Sequence, residues 1–399
     1  LRIYSWFLPC SFVWPICMKK MTIVYCIAGT YNSGGMERVL ANKANYLVKQ
    51  GHEVVIVTTD QRNQRSFFPM DERIRCYDLG INYEENNGKS FFNKLVHYPF
   101  KQWTHKKRLS QLLKELKADI VISMFCNEAS LLPAIDDGSR KILEIHFSRF
   151  KRLQYGRKGL WKWADAYRSR QDVRIARRYD RFVVLTEEDK GYWGDLKNIQ
   201  VIGNARSFVL SEPASLDAKK VIAVGRYSYQ KGFDRLIDAW SKVCSQVEGW
   251  TLHLVGDGEL REELQKQIDD LGLTDTVCLG KAETDMPSVY QGASVLALSS
   301  HYEGLPMVLL EAQAAGLPIV SFACKCGPKD VIEEGVDGFL VEEGEVEMLA
   351  RRLMCLMKDE KLRKQMGAAA FVRSERYTEE RIMKQWMDMF TELVGEHES

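Results

Sequence analysis

The chain has 399 residues, 45% hydrophobic and 28% charged, with 28 Gly and 10 Pro; this ordinary globular usage excludes disorder, collagen and coiled coil and allows two or three domains. The net charge of +2 hides an asymmetry: residues 1–206 hold 35 Lys+Arg against 21 Asp+Glu, a balance of +14, and the remainder holds 21 against 33, a balance of −12. A basic half points to an anionic partner, whether nucleic acid, a membrane surface or a phosphorylated substrate.

Residues 1–17 are apolar apart from Arg2. The chain does not begin with Met, no small-residue cleavage site follows the stretch, and Lys19-Lys20 lies behind it rather than before. These features favour an over-extended start, with translation from Met18 or Met21, over a signal peptide or a short apolar anchor. Ten cysteines form no C-x-x-C pair and several sit in apolar runs, which suggests free thiols in a reducing compartment, the cytoplasm.

From Thr22 onward short β-branched runs alternate with amphipathic stretches, the pattern of βα units on a parallel sheet. Residues 22–27 read as a strand, 36–50 as a helix closing at Gly51, and 53–59 as the next strand, followed by strands at 119–123, 141–145 and 181–185. Periodicity is lost over 203–219, around Pro213. A second series has strands at 220–225, 251–256, 294–299, 318–322 and 338–341, and helices then cover 345–358, 360–373 and 378–393. The pattern predicts an α/β protein of two doubly wound, Rossmann-like parallel-sheet domains, 18–205 and 220–377. A linker at 206–219 joins them, and the segment 378–399 is expected to cross back onto the first domain.

Three loops carry candidate chemistry. Between the first strand and helix, the run from Gly29 to Gly34-Gly35 aims backbone N–H groups and a positive helix end outward. It lacks both the Walker residues and a G-x-G-x-x-G spacing, and reads as a phosphate contact or a plain turn. The second domain opens alike, with Arg226 and Lys231 five residues apart at the carboxyl end of a sheet, where open α/β folds bind ligands. A planar fork and a point charge there converge on a diphosphate or are solvated surface charge. In the run from His301 to Glu311, Pro306 suits the first helical position, so Glu303 falls on the loop and Glu311 inside the helix. The two carboxylates are then too far apart to share a proton. Each can accept paired hydroxyls of a sugar or ribose, with a helix N-terminus for phosphate between them; an ordinary helix residue is the other reading of Glu311.

In this order the motifs resemble the retaining GT-B glycosyltransferases of family 4, the nucleotide-sugar-dependent type of surface polysaccharide synthesis. Glu303 and Glu311 reproduce the family's Glu, seven residues, Glu motif. Gly225-Arg226 with Lys231-Gly232, Gly34-Gly35, Gly256-Asp257-Gly258 and Gly316-Leu317-Pro318 support it. The resemblance implies an acceptor-binding first domain and a nucleotide-sugar-binding second one. It implies that Arg226 and Lys231 hold the donor diphosphate, that Glu311 takes the ribose hydroxyls and Glu303 those of the transferred sugar, and that amides of Gly35, Gly304 and Leu305 complete a phosphate cradle. His146, a lone histidine that reads as structural from sequence alone, matches a family histidine near the transferred sugar. The chain departs from the family in Gly304-Leu305-Pro306, where Phe-Gly often follows the first Glu, and in Gly203, where Pro is common. Neither change removes a polar ligand, so donor fit is what they touch. Backbone contacts near 279–282 are expected to set base choice.

No D-x-D occurs, and the seven histidines show no metal-ligand spacing, so no metal and no other cofactor is expected. From Arg140 to Arg181 fourteen Lys/Arg face four acids, interleaved with Leu160, Trp161, Trp163 and Tyr167. That segment suits an anionic membrane surface or a lipid-linked pyrophosphate acceptor, or is a solvated face with internal ion pairs. No nucleic-acid reader motif accompanies it, and no nucleic-acid partner is expected. The expectation is a cytoplasmic hexosyltransferase, peripheral at the inner membrane face, using a UDP-linked nucleotide sugar and a glycan or lipid-linked acceptor, with retention. The alternatives are a GT-B nucleotide-sugar epimerase or phosphorylase, or a non-catalytic membrane-surface scaffold.

Overall fold

The computed structural model describes residues 19–86, 91–149 and 160–398; the reading of residues 1–17 and the basic positions 151, 152, 157 and 158 lie outside them. The first domain contains strands β1 (Thr22–Ile27), β2 (Glu53–Thr58), β3 (Arg75–Asp78), β4 (Ile120–Ser123), β5 (Arg140–Glu144), β6 (Arg181–Val184) and β7 (Ile199–Val201). They pair in parallel in the order β3-β2-β1-β4-β5-β6-β7. Helices α1 (Gly35–Lys49), α2 (Phe91–Leu116), α3 (Leu160–Ala176) and α4 (Glu187–Tyr192) connect them. The central strands are buried on both faces, which is why they read as continuous apolar runs. At the edges β3 is exposed and β7 half-buried, so neither carries the apolar run by which the other strands are recognised. Helix α2 is hidden for a related reason: Tyr98, Phe100 and Trp103 face solvent and blur its apolar stripe.

The second sheet holds β8 (Lys220–Val224), β9 (Thr251–Val255), β10 (Val277–Leu279), β11 (Val295–Leu298), β12 (Ile319–Phe322) and β13 (Gly338–Val341), parallel in the order β10-β9-β8-β11-β12-β13. Its helices are α5 (Phe233–Ser241), α6 (Arg261–Asp270), α7 (Met286–Gln291), α8 (Met307–Ala314), α9 (Pro328–Val331), α10 (Val346–Lys358) and α11 (Glu360–Arg373). Both sheets reverse strand order beside their first strand, at β1/β4 and β8/β11, and such switch points open a crevice at the carboxyl ends of the strands. Pro306 occupies the position before α8 in an extended conformation, one residue earlier than the sequence places it.

Helix α12 (Glu379–Glu398) packs on the first domain. Ile382, Met383, Trp386, Phe390 and Leu393 share a core with Met21, Ile23, Leu40 and Leu47, and Arg140 Nε donates to the Leu393 carbonyl at 3.0 Å. The segment between the sheets is tied to the second domain: Arg206 N donates to Tyr377 O at 2.7 Å and Ala214 N to Ala315 O at 2.8 Å.

Phe390 is fully buried in that shared core. Phe390→Ala is expected to lower the stability of the first domain by about 3–5 kcal/mol, the usual range for emptying a buried aromatic site. Urea unfolding of the full chain measures it; a loss below about 1 kcal/mol would show that α12 contributes little to that core.

Candidate active site

The carboxyl edge of the second sheet brings together residues 72 positions apart. Lys231 Nζ donates to Glu303 Oε1 at 2.8 Å, and Ser300 Oγ donates to the same oxygen at 2.6 Å. Ser299 Oγ holds the Lys231 carbonyl at 2.9 Å, which fixes the loop that carries the cation. Glu303 is buried, and both bonds fall on Oε1, so Oε2 takes neither. Arg226 is exposed and forms no ion pair among the described residues. The carbonyls of Leu279 and Gly280, near which base contacts were expected, accept from the two terminal nitrogens of Arg261 at 3.1 and 2.8 Å.

Glu311, one turn into α8, is almost fully buried and joined to three separate segments. Arg38 of α1 donates to Oε1 at 3.1 Å, Ser207 of the linker to Oε1 at 2.8 Å, and Tyr290 of α7 to Oε2 at 2.8 Å. A carboxylate offers about four lone-pair sites, so a diol binding here needs one of these partners to move. Arg38, whose side chain is 26% exposed, belongs to the other domain.

The first-domain loop meets this edge across the seam between the domains. Gly34 caps α1, and Glu37 folds back over it; burial raises the Glu37 carboxyl above its ordinary range. A Cβ on Gly35 would lie 3.9 Å from Met307 Cγ, so the first residues of α1 and α8 lie side by side. Two positive helix ends brought together in this way favour an anion nearby.

His146 follows β5, its side chain nearly buried. Its backbone packs against Gly304 so closely that a Cβ there would lie 2.8 Å from His146 O. The two departures from the family pattern are neighbours in space: a Cβ on Gly203 would lie 3.3 Å from Leu305 Cδ2, so a small residue at 203 leaves room for the leucine. The predicted residues Arg226, Lys231, Glu303, Gly304, Leu305 and Glu311 from the second domain, and Gly34, Gly35 and His146 from the first, therefore border one seam.

Sequence reasoning missed Arg38, Ser207 and Tyr290 around Glu311, and also Lys43, Glu144 and Glu128. Lys43 donates to both oxygens of Glu144, and both residues are buried. Glu128, after β4, accepts from Ser123 Oγ at 2.6 Å and Cys126 N at 3.1 Å, and burial pushes its carboxyl up to about 7 against those bonds. A signal existed for the Lys43 pair: a lysine interrupts the apolar stripe Val39, Leu40, Ala44, Leu47, and a glutamate ends the apolar run of β5. Among the described residues no group of three or more His, Cys, Asp or Glu is arranged to hold a metal ion.

Adding a methyl group at Gly304 forces the His146 backbone away. Gly304→Ala is expected to cost about 1–3 kcal/mol, as overpacking does, and to enlarge the radius of gyration in solution scattering. Unchanged values in both measurements would mean that the seam is not closed in solution.

The Glycosyltransferase Family 4 profile matches residues 33–206, and the profile for Glycosyl transferases group 1 matches residues 209–373. An uncharacterized glycosyltransferase of Haemophilus influenzae is 31% identical over 92% of this chain and 99% of its own length. The GalNAc-alpha-(1->4)-GalNAc-alpha-(1->3)-diNAcBac-PP-undecaprenol alpha-1,4-N-acetyl-D-galactosaminyltransferase of Campylobacter jejuni is 28% identical over 94% of this chain and 99% of its own. Among solved structures, Staphylococcus aureus TarM in complex with Fondaparinux, alpha-GlcNAc-glycerol and UDP superposes with a TM-score of 0.78, at 18% identity, over 93% of this chain and 99% of that one. With two profiles dividing the chain between its two sheets and a full-length relative above 30% identity, the chain belongs to glycosyltransferase family 4 and has the GT-B fold.

Proposed function

We propose that this glycosyltransferase moves a hexose or N-acetylhexosamine from a UDP-linked donor to a glycan or lipid-linked oligosaccharide, with retention of configuration, in polysaccharide biosynthesis. The observation that carries the reading is the meeting of two helix N-termini, the Lys231–Glu303 pair and Glu311 at one seam. In this reading Arg226 and Lys231 take the diphosphate, the amides of Gly35, Gly304 and Leu305 complete its cradle, and Glu311 exchanges a present partner for the ribose hydroxyls. Glu303 accepts from hydroxyls of the transferred sugar, with His146 beside it. The acceptor hydroxyl attacks the anomeric carbon from the face that the diphosphate leaves. The bond from that carbon to the phosphate oxygen breaks with its electron pair on the diphosphate, the new glycosidic bond forms, and the hydroxyl proton passes to a departing phosphate oxygen. In this reading Arg226 and Lys231 supply the cations where charge develops, and closure of the seam excludes water. The UDP assignment draws support from the TarM complex, and the lipid-linked acceptor from the Campylobacter relative named for a PP-undecaprenol glycan.

We also place the protein in the cytoplasm, peripheral at the inner membrane face. Among the described residues no helix is long and apolar enough to cross a membrane. The basic stretch is only partly available for lipid. Lys141 is tied to Asp137, Arg140 to Asp180, Arg149 to Ser169 and Arg181 to Glu392. Arg168, Arg170 and Arg174 of α3, and Arg177 and Arg178 in the turn after it, are exposed along with Tyr167, and α2 adds exposed Phe100 and Trp103 with Lys106, Lys107 and Arg108. Aromatic rings among cations suit an anionic lipid interface.

Thermal unfolding in EDTA tests donor class and metal independence together. UDP at about a hundred times its Kd should stabilise the chain by about 2.7 kcal/mol without a divalent ion. Glu311→Gln, which removes a charged acceptor, should weaken UDP binding about 10- to 100-fold. No response to UDP in EDTA, restored by manganese, would overturn metal independence; a response to GDP or ADP alone would overturn the UDP assignment.

For the membrane reading, replacing Arg174, Arg177 and Arg178 together by Glu should remove about 1 kcal/mol of attraction per cation from binding to phosphatidylserine vesicles. Raising salt should weaken the unsubstituted protein in the same assay. Binding that neither change affects counts against the lipid surface.

A further inference from the structure

Glu311 lies buried, its side chain 4% exposed, with its acceptor positions nearly filled. Oε1 accepts from Arg38 Nη1 at 3.1 Å and from Ser207 Oγ at 2.8 Å, and Oε2 accepts from the Tyr290 hydroxyl at 2.8 Å. A carboxylate offers about four lone-pair positions, two on each oxygen, so the described residues leave one of them, on Oε2, for a further donor. A vicinal diol brings two hydroxyls, and laying one on each oxygen needs a position on Oε1 as well. Either Arg38 or Ser207 has to give way. Ser207 is held from both sides: the preceding Arg206 donates from its backbone N–H to Tyr377 O at 2.7 Å and from Nη1 to Ser374 Oγ at 2.6 Å, and the ring of the following Phe208 lies 5.8 Å from that of Tyr290. Arg38 comes from the other domain, makes the longest of the three bonds, and has a second support, its Cζ 4.9 Å from the centre of the Phe68 ring. A guanidinium that leaves Glu311 therefore keeps a cation–π contact and, being partly exposed, its water.

We propose that Arg38 is the partner that Glu311 gives up to the ribose: a positioning residue that supplies the counter-charge of a buried carboxylate while no nucleotide is bound and yields its place on Oε1 when two hydroxyls arrive. The inference rests on the reading of Glu311 as the ribose acceptor given above. Without nucleotide the pair is needed, because a buried carboxylate with no cation is strongly unfavourable. With nucleotide, Oε1 holds Ser207 and one hydroxyl, Oε2 holds Tyr290 and the other, and every acceptor position is filled. No covalent bond changes. Burial keeps the Tyr290 phenol protonated, so that donor stays in both states. The exchange makes the contribution of the ribose a difference, two hydroxyl bonds formed against one charge-assisted bond broken. A ligand with a single hydroxyl fits the position left on Oε2 and leaves Arg38 in place. Because Arg38 stands on α1, the exchange also replaces a direct bond across the seam by contacts that run through the nucleotide.

Calorimetry in EDTA with UDP and with 2′,3′-dideoxy-UDP tests the exchange on the full chain, because the two ligands share base and diphosphate and any change in seam closure cancels from the ratio of their affinities. The unsubstituted protein is expected to bind the dideoxy nucleotide about 10-fold more weakly than UDP. In Arg38→Met no guanidinium competes for Oε1, and the ratio is expected to widen by about a further 10-fold, the effect of removing one charge-assisted bond from the exchange. Arg38→Gln, which keeps a neutral donor, should fall between the two and carries the test if the methionine variant fails to fold. Guanidinium NMR of Arg38, assigned through the same variants, identifies the partner that moves: the hindered rotation of its Nη groups imposed by Glu311 should be lost on saturation with UDP and kept with the dideoxy nucleotide. An arginine that merely holds the domains together weakens both nucleotides alike when replaced, so an unchanged ratio would overturn the proposal. Hindered rotation that persists with UDP would overturn it too, since Ser207 would then be the group that moves. Equal affinities for the two nucleotides in every form, or no binding of UDP, would overturn the placement of the ribose on Glu311 and the proposal with it.

Discussion

The site depends on one close approach, the backbone of Gly304 lying against that of His146 with no room for a side chain between them. Each of these residues sits at the carboxyl edge of its own parallel sheet, and both sheets reverse strand order nearby. Bringing the edges together at backbone distance sets the first residue of α8 beside that of α1 and lets Arg38 reach Glu311, 273 positions away in sequence. It also sets Leu305 over Gly203 and seats Cys326 N on Glu188 Oε2 at 3.0 Å, so the contact is distributed along the seam.

Three buried carboxylates mark that seam, and each has a cation. Glu303 is paired within the second domain by Lys231, Glu311 across the domains by Arg38, and Glu144 within the first domain by Lys43. Such pairs add little net stability, since desolvation consumes most of the attraction, but they fix geometry because an unpartnered buried charge is strongly unfavourable. The pair across the domains differs from the other two in kind. Opening the seam separates Arg38 from Glu311, whereas it leaves the other pairs intact. On the proposed reading, a ribose diol at Glu311 would compete for the same oxygens and so would link nucleotide occupancy to the relative position of the domains. At longer range the imbalance of charge works the same way, a basic first half facing an acidic second.

Most of the sheet architecture was legible because a strand covered on both faces must be apolar along its whole length, as in residues 22–27, 53–58 and 319–322. The same rule explains the omissions. Exposed β3, half-buried β7 and a solvent-facing α2 lack the apolar pattern that burial imposes. The basic stretch was readable as charge but not as surface, since Arg140, Lys141, Arg149 and Arg181 are engaged by partners within the protein, from Asp137 four residues away to Glu392 on α12.

By itself the sequence determined the two-domain α/β plan, the loops at the strand ends, and the candidate residues Gly34, Gly35, Arg226, Lys231, Glu303 and Glu311 on those loops and the helices they open, because strand burial and helix starts are local properties that leave local patterns, whereas His146 entered only through the family resemblance. Tertiary structure alone decided what those residues touch. Glu311 shares its oxygens with an arginine of the other domain, a linker serine and a tyrosine of α7, and His146 stands against a carboxylate held by a lysine on α1 whose ammonium lies over an indole on α12. Arg38 and Glu311 lie 273 residues apart in sequence, and only closing the sheets on one another brings that charge and counter-charge within bonding distance.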